Sequence, residues 1–294
     1  MSATSGGIAA LSEEFAALAA RGAEHVVAVE GGGGWPTSGI LWRPGVIVTA
    51  AEALGTDAGI RVSGARFEQV PATLVGRDPS IDVAVLRAET EGEDAATPAP
   101  PAELRAGALV MALGREHGGP VAGLGSVALA GPAWQSMRGG TIDRLIRLDL
   151  SLGRRAEGGA VFDMRGRLVG MAVFGPRRRV LAIPASTIEQ GVAQVLAHGR
   201  VVRGYLGAAL QAVRLEAEQG GLLVVGLDRG GPASQAGLLV GDAIVTWNDR
   251  PLLRVREVMH LLGRESVGTA AALGLVRGGA ALRLEVVIGE RPAA

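Results

Sequence analysis

Apolar residues near the start of the chain recur at helical spacing. Ile8, Leu11, Phe15 and Leu18 lie three or four positions apart. This spacing places their side chains on one face of a helix. The pattern therefore predicts an N-terminal amphipathic helix within residues 1–24.

After residue 25 the pattern changes to short apolar runs separated by Gly, Pro and Asp. About a dozen such runs precede residue 184, among them HVVAVE, GVIVTAAEAL, DVAVLRAE and RLVGMAVFG. Short runs between turn residues are typical of β-strands. Many short strands at this spacing predict a mostly β domain, an antiparallel barrel or sandwich, over residues 25–184.

A second helical pattern follows the last of these strands. The segment PASTIEQGVAQVLAHG offers Ser186 or Thr187 as an N-terminal cap and ends at Gly199. We interpret residues 185–202 as a linker helix that closes the β domain. Residues 203–294 have strands and two short helical patterns of their own, and their number is ordinary for a separate α+β domain.

Composition supports a β-rich chain and excludes several classes of function. Of the 294 residues, 48% are apolar, only 3% are aromatic and 46 are glycine. The 29 basic and 29 acidic residues balance, so no excess of positive charge favours nucleic acid or a membrane surface as a partner. The chain has no cysteine, which excludes disulfides and thiolate chemistry.

The sequence predicts no metal, cofactor or targeting segment. The four histidines are scattered without the spacing of metal ligands, and the low aromatic content disfavours a stacked cofactor. The N-terminal segment lacks a basic start, and Glu13 and Glu14 interrupt its apolar stretch, which is unlike a signal peptide. We therefore expect a cytoplasmic location.

Several motifs in order along the chain resemble those of one family. They are SGILWRPGVIVTAAEAL, VGRDPSIDVAVLR, LDLSLGRRAEGGAVFDMRGRLVGM and VLAIPAS, followed by RGYLGA and GGPASQAGLLVGDAIVTWNDRPL. In sequence and order they resemble the HtrA/Deg serine proteases, in which a trypsin-like domain precedes a PDZ domain. The resemblance implies a leading helix, a trypsin-like double six-stranded antiparallel β-barrel and a C-terminal PDZ domain.

The resemblance also assigns the positions of a catalytic triad. The family's general base falls at Glu52, its orienting acid at Asp82 and its nucleophile at Glu157. Only the acid matches the family. A carboxylate at the nucleophile position cannot form the usual acyl-ester, and at the base position it cannot reproduce the two-sided hydrogen bonding of an imidazole.

The loop around the nucleophile position departs from the family in a second way. Gly158 is retained, but the family's glycine two residues before the nucleophile is Arg155 in this chain. That glycine lets the loop present its backbone N–H groups to an oxyanion. Together these changes imply a pseudoprotease, a catalytically inactive homologue of the serine proteases.

Three carboxylates at the former active site would repel one another and raise at least one pKa. The sequence leaves three explanations open. Arg154, Arg155 or solvent offsets the repulsion, a cation such as calcium binds there, or the carboxylates form a hydrolase site. We interpret the basic turn PRRR, Pro176 to Arg179, as a solvated hairpin near the former substrate cleft.

In the C-terminal segment, the resemblance implies a binding site for the free carboxyl end of a peptide. Backbone N–H groups of one loop would hold the carboxylate. The loop residues are Tyr205, Leu206, Gly207 and Ala208. The residues of the helix that would face the added peptide strand are Val258, Leu261 and Leu262. Val258 and Leu262 are also spaced as core residues would be, so both interpretations stay open.

The function implied is a scaffold or binding module for C-terminal or unfolded peptide segments. An active hydrolase, with a rearranged serine-type site or a carboxylate-based site, is the alternative. A third hypothesis is a subunit that assembles with further copies of itself or with active relatives and modulates them.

Overall fold

The computed structural model describes residues 3–31, 35–55, 57–90, 95–96, 98, 104–199, 202–215 and 220–292. The chain divides into two compact units, one within residues 1–136 and 141–201 and the other within 137–140 and 202–294. Each unit has a hydrophobic core of its own.

Helix α1 (Ala3–Ala23) precedes the first strand, and its two ends differ in burial. Leu18 is buried in the core and Phe15 packs against it, whereas Ile8 and Leu11 are 70% and 49% exposed. The predicted amphipathic helix is present, but the rest of the unit covers only the C-terminal half of its apolar face.

The first barrel closes from six antiparallel strands in the order β1-β2-β3-β6-β5-β4. Their bounds are β1 (Val26–Glu30), β2 (Thr37–Arg43), β3 (Val46–Thr49), β4 (Ile60–Ser63), β5 (Val70–Asp78) and β6 (Val83–Ala88). Val27, Ile47 and Leu86 are fully buried within one of its apolar clusters. Because each strand pairs on both sides, the barrel leaves no strand edge unpaired.

The second barrel has six strands in the order β11-β14-β13-β12-β7-β8. In chain order the strands are β7 (Leu109–Glu116), β8 (Gly119–Ala130), the two-stranded ribbon β9 (Trp134–Gln135) and β10 (Thr141–Ile142), β11 (Ile146–Asp149), β12 (Ala160–Asp163), β13 (Leu168–Phe174) and β14 (Val180–Pro184). Val110, Val161 and Val169 belong to its apolar core. The mostly β architecture with two six-stranded barrels is therefore confirmed.

Helix α2 (Ala185–His198) follows the second barrel. It ends at Gly199, whose φ of +70° is the left-handed conformation that favours glycine after a helix. The prediction that Ser186 or Thr187 caps the N-terminus is wrong, because the helix begins before both residues and no side chain caps it. Residues 200–201, at the end of the predicted linker, lie outside the described residues.

The C-terminal unit is built on one antiparallel sheet in the order β16-β17-β18-β20-β21, with β19 paired to β18 and a separate pair β15-β22. The elements are β15 (Gly204–Tyr205), β16 (Ala208–Arg214), β17 (Gly220–Leu227), α3 (Pro232–Gln235), β18 (Ala243–Trp247), β19 (Arg250–Pro251), α4 (Val255–Leu261), β20 (Ala270–Arg277), β21 (Ala280–Val287) and β22 (Gly289–Glu290). Strand β16 therefore lies at a sheet edge, and α4 packs beside it.

Candidate functional site

The loop between β11 and β12 carries Glu157 and contains a 3₁₀ turn at Arg154–Ala156. The Glu157 N–H donates to the Arg154 carbonyl over 3.2 Å, and the Ala156 N–H donates to the Gly153 carbonyl over 3.0 Å. Consecutive bonds of this kind tighten the backbone into a 3₁₀ helix. The Glu157 N–H is therefore used within the loop itself.

Two glycines after Glu157 let the loop approach both barrels closely. Gly158 has a φ of +82°, and a Cβ built on it would lie 2.3 Å from the Ser38 carbonyl oxygen. A Cβ on Gly159 would lie 2.1 Å from the Leu113 carbonyl oxygen. Both distances are far shorter than any contact a side chain makes, so no larger residue fits at either position without moving the backbone.

Strand β2 of the first barrel holds this loop in place. The Ser38 N–H and the Thr37 hydroxyl both donate to the Glu157 carbonyl, over 2.9 and 2.6 Å. The Ser38 hydroxyl donates to the Arg155 carbonyl over 2.7 Å. The loop that carries the nucleophile position is thus bonded across the interface between the two barrels.

The Glu157 side chain is half-buried, and its Oε1 accepts a hydrogen bond from the Phe174 N–H over 3.1 Å. Burial raises the pKa of this carboxyl above its ordinary value, and the Glu52 carboxylate raises it further. The Phe174 N–H and the Arg154 and Arg178 guanidiniums act against the rise in pKa. A backbone N–H and two arginines, one of them in the PRRR turn, therefore offset the rise in the pKa of Glu157 only in part.

Glu52 lies in the turn after β3, next to Asp82. The Glu52 N–H donates to Asp82 Oδ1 over 2.8 Å, and the Ala51 N–H donates to the Asp82 carbonyl over 3.3 Å. Asp82 has a φ of +57°, in the left-handed region that Asp tolerates better than most residues. Asp82 thus binds the backbone of the residue at the base position, while the Glu52 side chain is exposed.

Glu52 and Glu157 line one cleft of about 720 Å³. Asp82 lies next to this cleft, because its carboxylate accepts a hydrogen bond from the Glu52 N–H. The three predicted site residues are therefore brought together. In the part of the chain that the structure describes, no three His, Asp or Glu side chains are arranged to hold a metal ion.

Arg155 contacts residues on the rim of the cleft that sequence reasoning missed. Its guanidinium carbon lies 5.5 Å from the centre of the Trp35 ring, and its Nη1 lies 3.4 Å from Glu116 Oε2. Trp35 is 81% exposed, and Glu116 lies at the end of β7. No local sequence pattern marks either residue, because the chain brings them together from distant segments.

A second cleft, of about 310 Å³, lies between β16 and α4 in the C-terminal unit. The loop residues predicted to hold a peptide carboxylate all line it. These are Tyr205, Leu206, Gly207 and Ala208. Their backbone is therefore at the surface that a ligand in this cleft would contact.

The loop is bonded to the turn that follows β17. The Ala233 N–H donates to the Leu206 carbonyl over 2.8 Å, and the Asp228 N–H donates to the Gly207 carbonyl over 3.0 Å. The Tyr205 hydroxyl donates to the Asp228 carboxylate, and this bond raises the pKa of Tyr205. Gly207 has a φ of +71°, which explains why a glycine is needed there.

The carbonyls of Leu206 and Gly207 are bonded, but their N–H groups are not. Among the described residues, no protein group accepts a hydrogen bond from either N–H. Two neighbouring N–H groups in one loop are the donors that a peptide carboxylate requires. This arrangement matches the carboxylate-binding role expected of the loop.

One face of helix α4 forms the other side of the cleft. Its lining residues are Val255, Val258, Met259 and Leu262. Leu261 does not line the cleft and is 37% exposed, since one residue along a helix turns the side chain by about 100°. Val258 is 3% exposed and belongs to the core as well as lining the cleft, so its core role is confirmed and its contact with a peptide strand stays a prediction. Helical spacing from Val258 and Leu262 would have identified Val255 and Met259.

Two family profiles match the chain in the order of its two units. The profile described as "Trypsin-like peptidase domain" matches residues 37–171. The profile described as "PDZ domain" matches residues 204–288. Together they cover most of the residues that line the two clefts, except Trp35 and Pro36 of the first and Arg291 of the second.

Curated relatives match most of this chain. It is 30% identical over 266 residues to the "Probable periplasmic serine endoprotease DegP-like" of Ectopseudomonas mendocina (strain ymp), covering 86% of this chain and 56% of the relative. It is 30% identical over 275 residues to the protein of the same name from Bartonella henselae, covering 84% of this chain and 52% of the relative. The chain therefore spans about half the length of these relatives.

Solved structures match nearly the whole chain. The serine endoprotease from Yersinia pestis is 25% identical with a TM-score of 0.73, and the match covers 94% of this chain and 97% of that one. The HtrA-type protease AlgW with tripeptide is 26% identical with a TM-score of 0.69, and the match covers 95% of this chain and 98% of that one. Both similarities extend over the barrels and the C-terminal unit.

These comparisons correct one prediction and confirm another. The expected cytoplasmic location is wrong, because the relatives are named as periplasmic proteins. No helix in the described part of the chain is long and apolar enough to cross a bilayer. The family resemblance is confirmed. With a trypsin-like double barrel followed by a PDZ domain, and with DegP-like relatives along most of its length, the chain belongs to the HtrA/Deg family of serine proteases.

Proposed function

We propose that this chain is a catalytically inactive member of its family, a pseudoprotease. The observation that carries the proposal is the state of Glu157, which stands at the nucleophile position. Its N–H donates to the Arg154 carbonyl, and its carboxylate accepts from the Phe174 N–H. A serine protease needs a nucleophilic hydroxyl at this residue and needs its N–H to face the oxyanion of the reaction intermediate.

The base position supports the same proposal. Glu52 presents a carboxylate, which cannot donate a hydrogen bond to Asp82 at one atom while it accepts a serine proton at another, as an imidazole does. Asp82 keeps its place beside this residue but has no imidazole to orient. Removing base and nucleophile from a serine protease lowers its rate by several powers of ten.

An active-site probe tests the proposal. We expect a fluorophosphonate that labels activated serines to leave the purified chain unlabelled, while it labels an active HtrA protease in the same mixture. Labelling that persists through repurification and is lost on Asp82→Ala would refute the proposal, because it would reveal a serine activated by this site. Covalent adducts would be read by intact-protein mass spectrometry.

We further propose that the C-terminal unit retains binding of peptide C-termini. The unbonded N–H groups of Leu206 and Gly207 and the apolar side of α4 support this proposal. The related AlgW structures are named with a decapeptide and with a tripeptide. The ligands proposed for this chain are C-terminal or unfolded peptide segments.

The cellular compartment proposed for this function is taken from the names of the relatives. We place its action in the periplasm, the compartment for which they are named. Assembly with further copies or with active relatives belongs to the same proposal, and the exposed Ile8 and Leu11 on α1 support it, since an apolar helix face is commonly covered by a partner.

A further inference from the structure

The PRRR turn beside Glu157 contains arginines that form no ion pair with a carboxylate of the described residues. Pro176–Arg178 form a 3₁₀ turn after β13, and Arg177, Arg178 and Arg179 are exposed. No carboxylate of the described residues lies within ion-pair distance of these three side chains or of the exposed Arg154. Some exposed arginines elsewhere do pair, and examples are Arg43 with Glu189, Arg66 with Glu24 and Arg283 with Asp249.

The backbone of this turn is strained at two of the arginines. Arg177 and Arg178 have φ values of +58° and +56°, in the left-handed region. A non-glycine side chain there costs roughly 1–2 kcal/mol per residue, and Gly or Asn would reduce the cost. If this turn were only a solvated surface hairpin, arginine would offer no advantage over Gly or Asn at either position.

Two of these guanidiniums, those of Arg154 and Arg178, lie near the Glu157 carboxylate. The guanidinium carbon of Arg178 lies 5.1 Å from the centre of the Phe174 ring, and the Phe174 N–H bonds to Glu157. Arg154 and Arg178 both act on the pKa of Glu157, so both lie within electrostatic reach of one carboxylate. We call Arg154, Arg177, Arg178 and Arg179 the arginine rim.

We propose that the arginine rim binds an acidic peptide segment through the side-chain carboxylates of that segment. Guanidinium forms strong charge-assisted hydrogen bonds to carboxylate, and stacking of Arg178 on Phe174 restricts its motion. Glu157 is half-buried and bonded to the Phe174 N–H, and it forms no ion pair with the arginines of the rim.

A peptide fits these charges better than nucleic acid does. The chain as a whole has 29 basic and 29 acidic residues, so no extended positive field surrounds the rim. Glu52 and Glu116 line the neighbouring cleft and would repel a continuous phosphate backbone. A peptide can place its carboxylates singly, on the arginines and away from these two glutamates. The site is separate from the carboxylate loop of the C-terminal unit, and it does not depend on loss of catalysis.

Binding of defined peptides to the full-length chain tests the proposal. The probes are alternating Glu-Ala, Gln-Ala and Lys-Ala peptides, each fluorescent, acetylated and amidated, so that none has a free carboxyl end for the C-terminal unit. We expect fluorescence anisotropy to detect the Glu-Ala peptide alone, with affinity that falls as salt is added. Equal affinity for the Gln-Ala peptide, or tighter binding of the Lys-Ala peptide, would overturn the proposal.

Variants assign the binding to the rim. The double variant Arg177→Asn and Arg178→Asn removes two charges, and because Asn tolerates the left-handed backbone at both positions the fold is kept. We expect the affinity for the Glu-Ala peptide to fall about tenfold or more. Arg250→Gln, an exposed arginine of the C-terminal unit, is the matched control and should change nothing. Unchanged binding in the double variant would place the site elsewhere. Tighter binding of a single-stranded oligonucleotide than of the Glu-Ala peptide would show a nucleic-acid site and contradict the proposal.

Discussion

The Glu157 carboxylate affects the stability of its unit in two opposite ways. It satisfies the Phe174 N–H, but burial and the nearby Glu52 raise its pKa. With a raised pKa, the folded chain binds more protons than the unfolded chain between the ordinary and the raised value. The contribution of Glu157 to stability is therefore complete below its ordinary pKa and is lost as pH rises through its raised pKa.

Two substitutions at this residue separate the hydrogen bond from the charge. Glu157→Gln keeps an acceptor for Phe174 and removes the charge, so we expect a higher free energy of unfolding than wild type at neutral pH and no difference in acid. Glu157→Ala removes the acceptor as well and should be about 1–3 kcal/mol less stable than Glu157→Gln, because a buried N–H loses its partner. Urea denaturation across pH measures both. Equal stability of the two variants would show that the bond contributes nothing.

The 3₁₀ turn predicts how the chain responds to restoration of the triad. Glu52→His with Glu157→Ser should yield little proteolysis, because the N–H at residue 157 still donates to the Arg154 carbonyl. Adding Arg155→Gly frees the peptide to turn and should raise the rate by about 10²–10³-fold, the usual effect of one oxyanion donor. Cleavage of casein is the measurement.

A neighbouring arginine of the same turn supplies the control for that series. Arg154→Gly, added to the same two changes, removes a similar side chain without changing the position of the family's glycine, and it should leave the rate low. If the double variant alone reached the rate of an active HtrA protease, the 3₁₀ turn would not obstruct catalysis.

At the scale of elements, the loop between β15 and β16 carries the activity expected to remain. Peptides with a free carboxyl end should bind the full chain with micromolar affinity, about −7 to −8 kcal/mol, since a short added strand buries little area and must be ordered. Amidation of the peptide should weaken binding at least about tenfold, because the N–H groups of Leu206 and Gly207 then lose a charged partner. Isothermal titration with free-acid and amidated forms measures the difference.

Two glycines with similar backbones test the loop itself. Gly207→Asp adds negative charge and a Cβ that would lie 3.2 Å from the Gly231 Cα, and it should abolish binding. Gly230→Asp is matched to it, because Gly230 has a φ of +69° but open space around its Cβ position. If both variants bound alike, or if amidated and free peptides had equal affinity, the loop would have only a structural role.

The sequence predicted the positions of helices and strands more reliably than it predicted which way individual side chains point. Apolar periodicity located α2 and the cleft helix α4, because both bury one face against a sheet. It did not determine where each helix begins, so the cap predicted at Ser186 or Thr187 was wrong. It also grouped Leu261, which does not line the cleft, with Val258 and Leu262, which do. One residue changes the direction of a side chain by about 100° in a helix, and tertiary packing decides the phase.

At the scale of the whole molecule, the C-terminal unit has its own core and its own buried ion pair. Asp242 is 1% exposed, and its carboxylate accepts hydrogen bonds from Arg277 and from the Leu239 N–H. The Arg277 guanidinium holds the pKa of Asp242 below its ordinary value. The stability that this pair contributes is therefore present above the ordinary pKa of Asp and is lost as pH falls through the lowered value.

Asp242→Asn should lower the stability of the C-terminal unit selectively. We expect a loss of about 1–3 kcal/mol from weakened hydrogen bonds to a buried charge, with the barrel unit unchanged. Asp249→Asn is the control, because the Asp249–Arg283 pair is exposed and should contribute no more than about 1 kcal/mol. Scanning calorimetry of the full chain distinguishes the transitions. A loss spread over both units, or an equal effect of the control, would contradict this account.

The overall architecture could be predicted because it depends on patterns within short segments and on the order of motifs along the chain. Short apolar runs gave the strands, and motif order gave the two domains and the neighbouring positions of Glu52, Asp82 and Glu157. The contacts of Arg155 with Trp35 and Glu116, and of Glu157 with Phe174, could not be predicted. They join segments that are not adjacent in sequence, and they depend on how the loop around Glu157 folds.

The rate at which the purified chain cleaves unfolded casein at neutral pH tests the loss of catalysis most directly. The comparison is with a variant that carries Glu52→Gln, Asp82→Asn and Glu157→Gln together, which also removes any carboxylate-based mechanism. We predict that both proteins match the buffer control. A rate above buffer that persists through repurification and disappears in the triple variant would contradict the account.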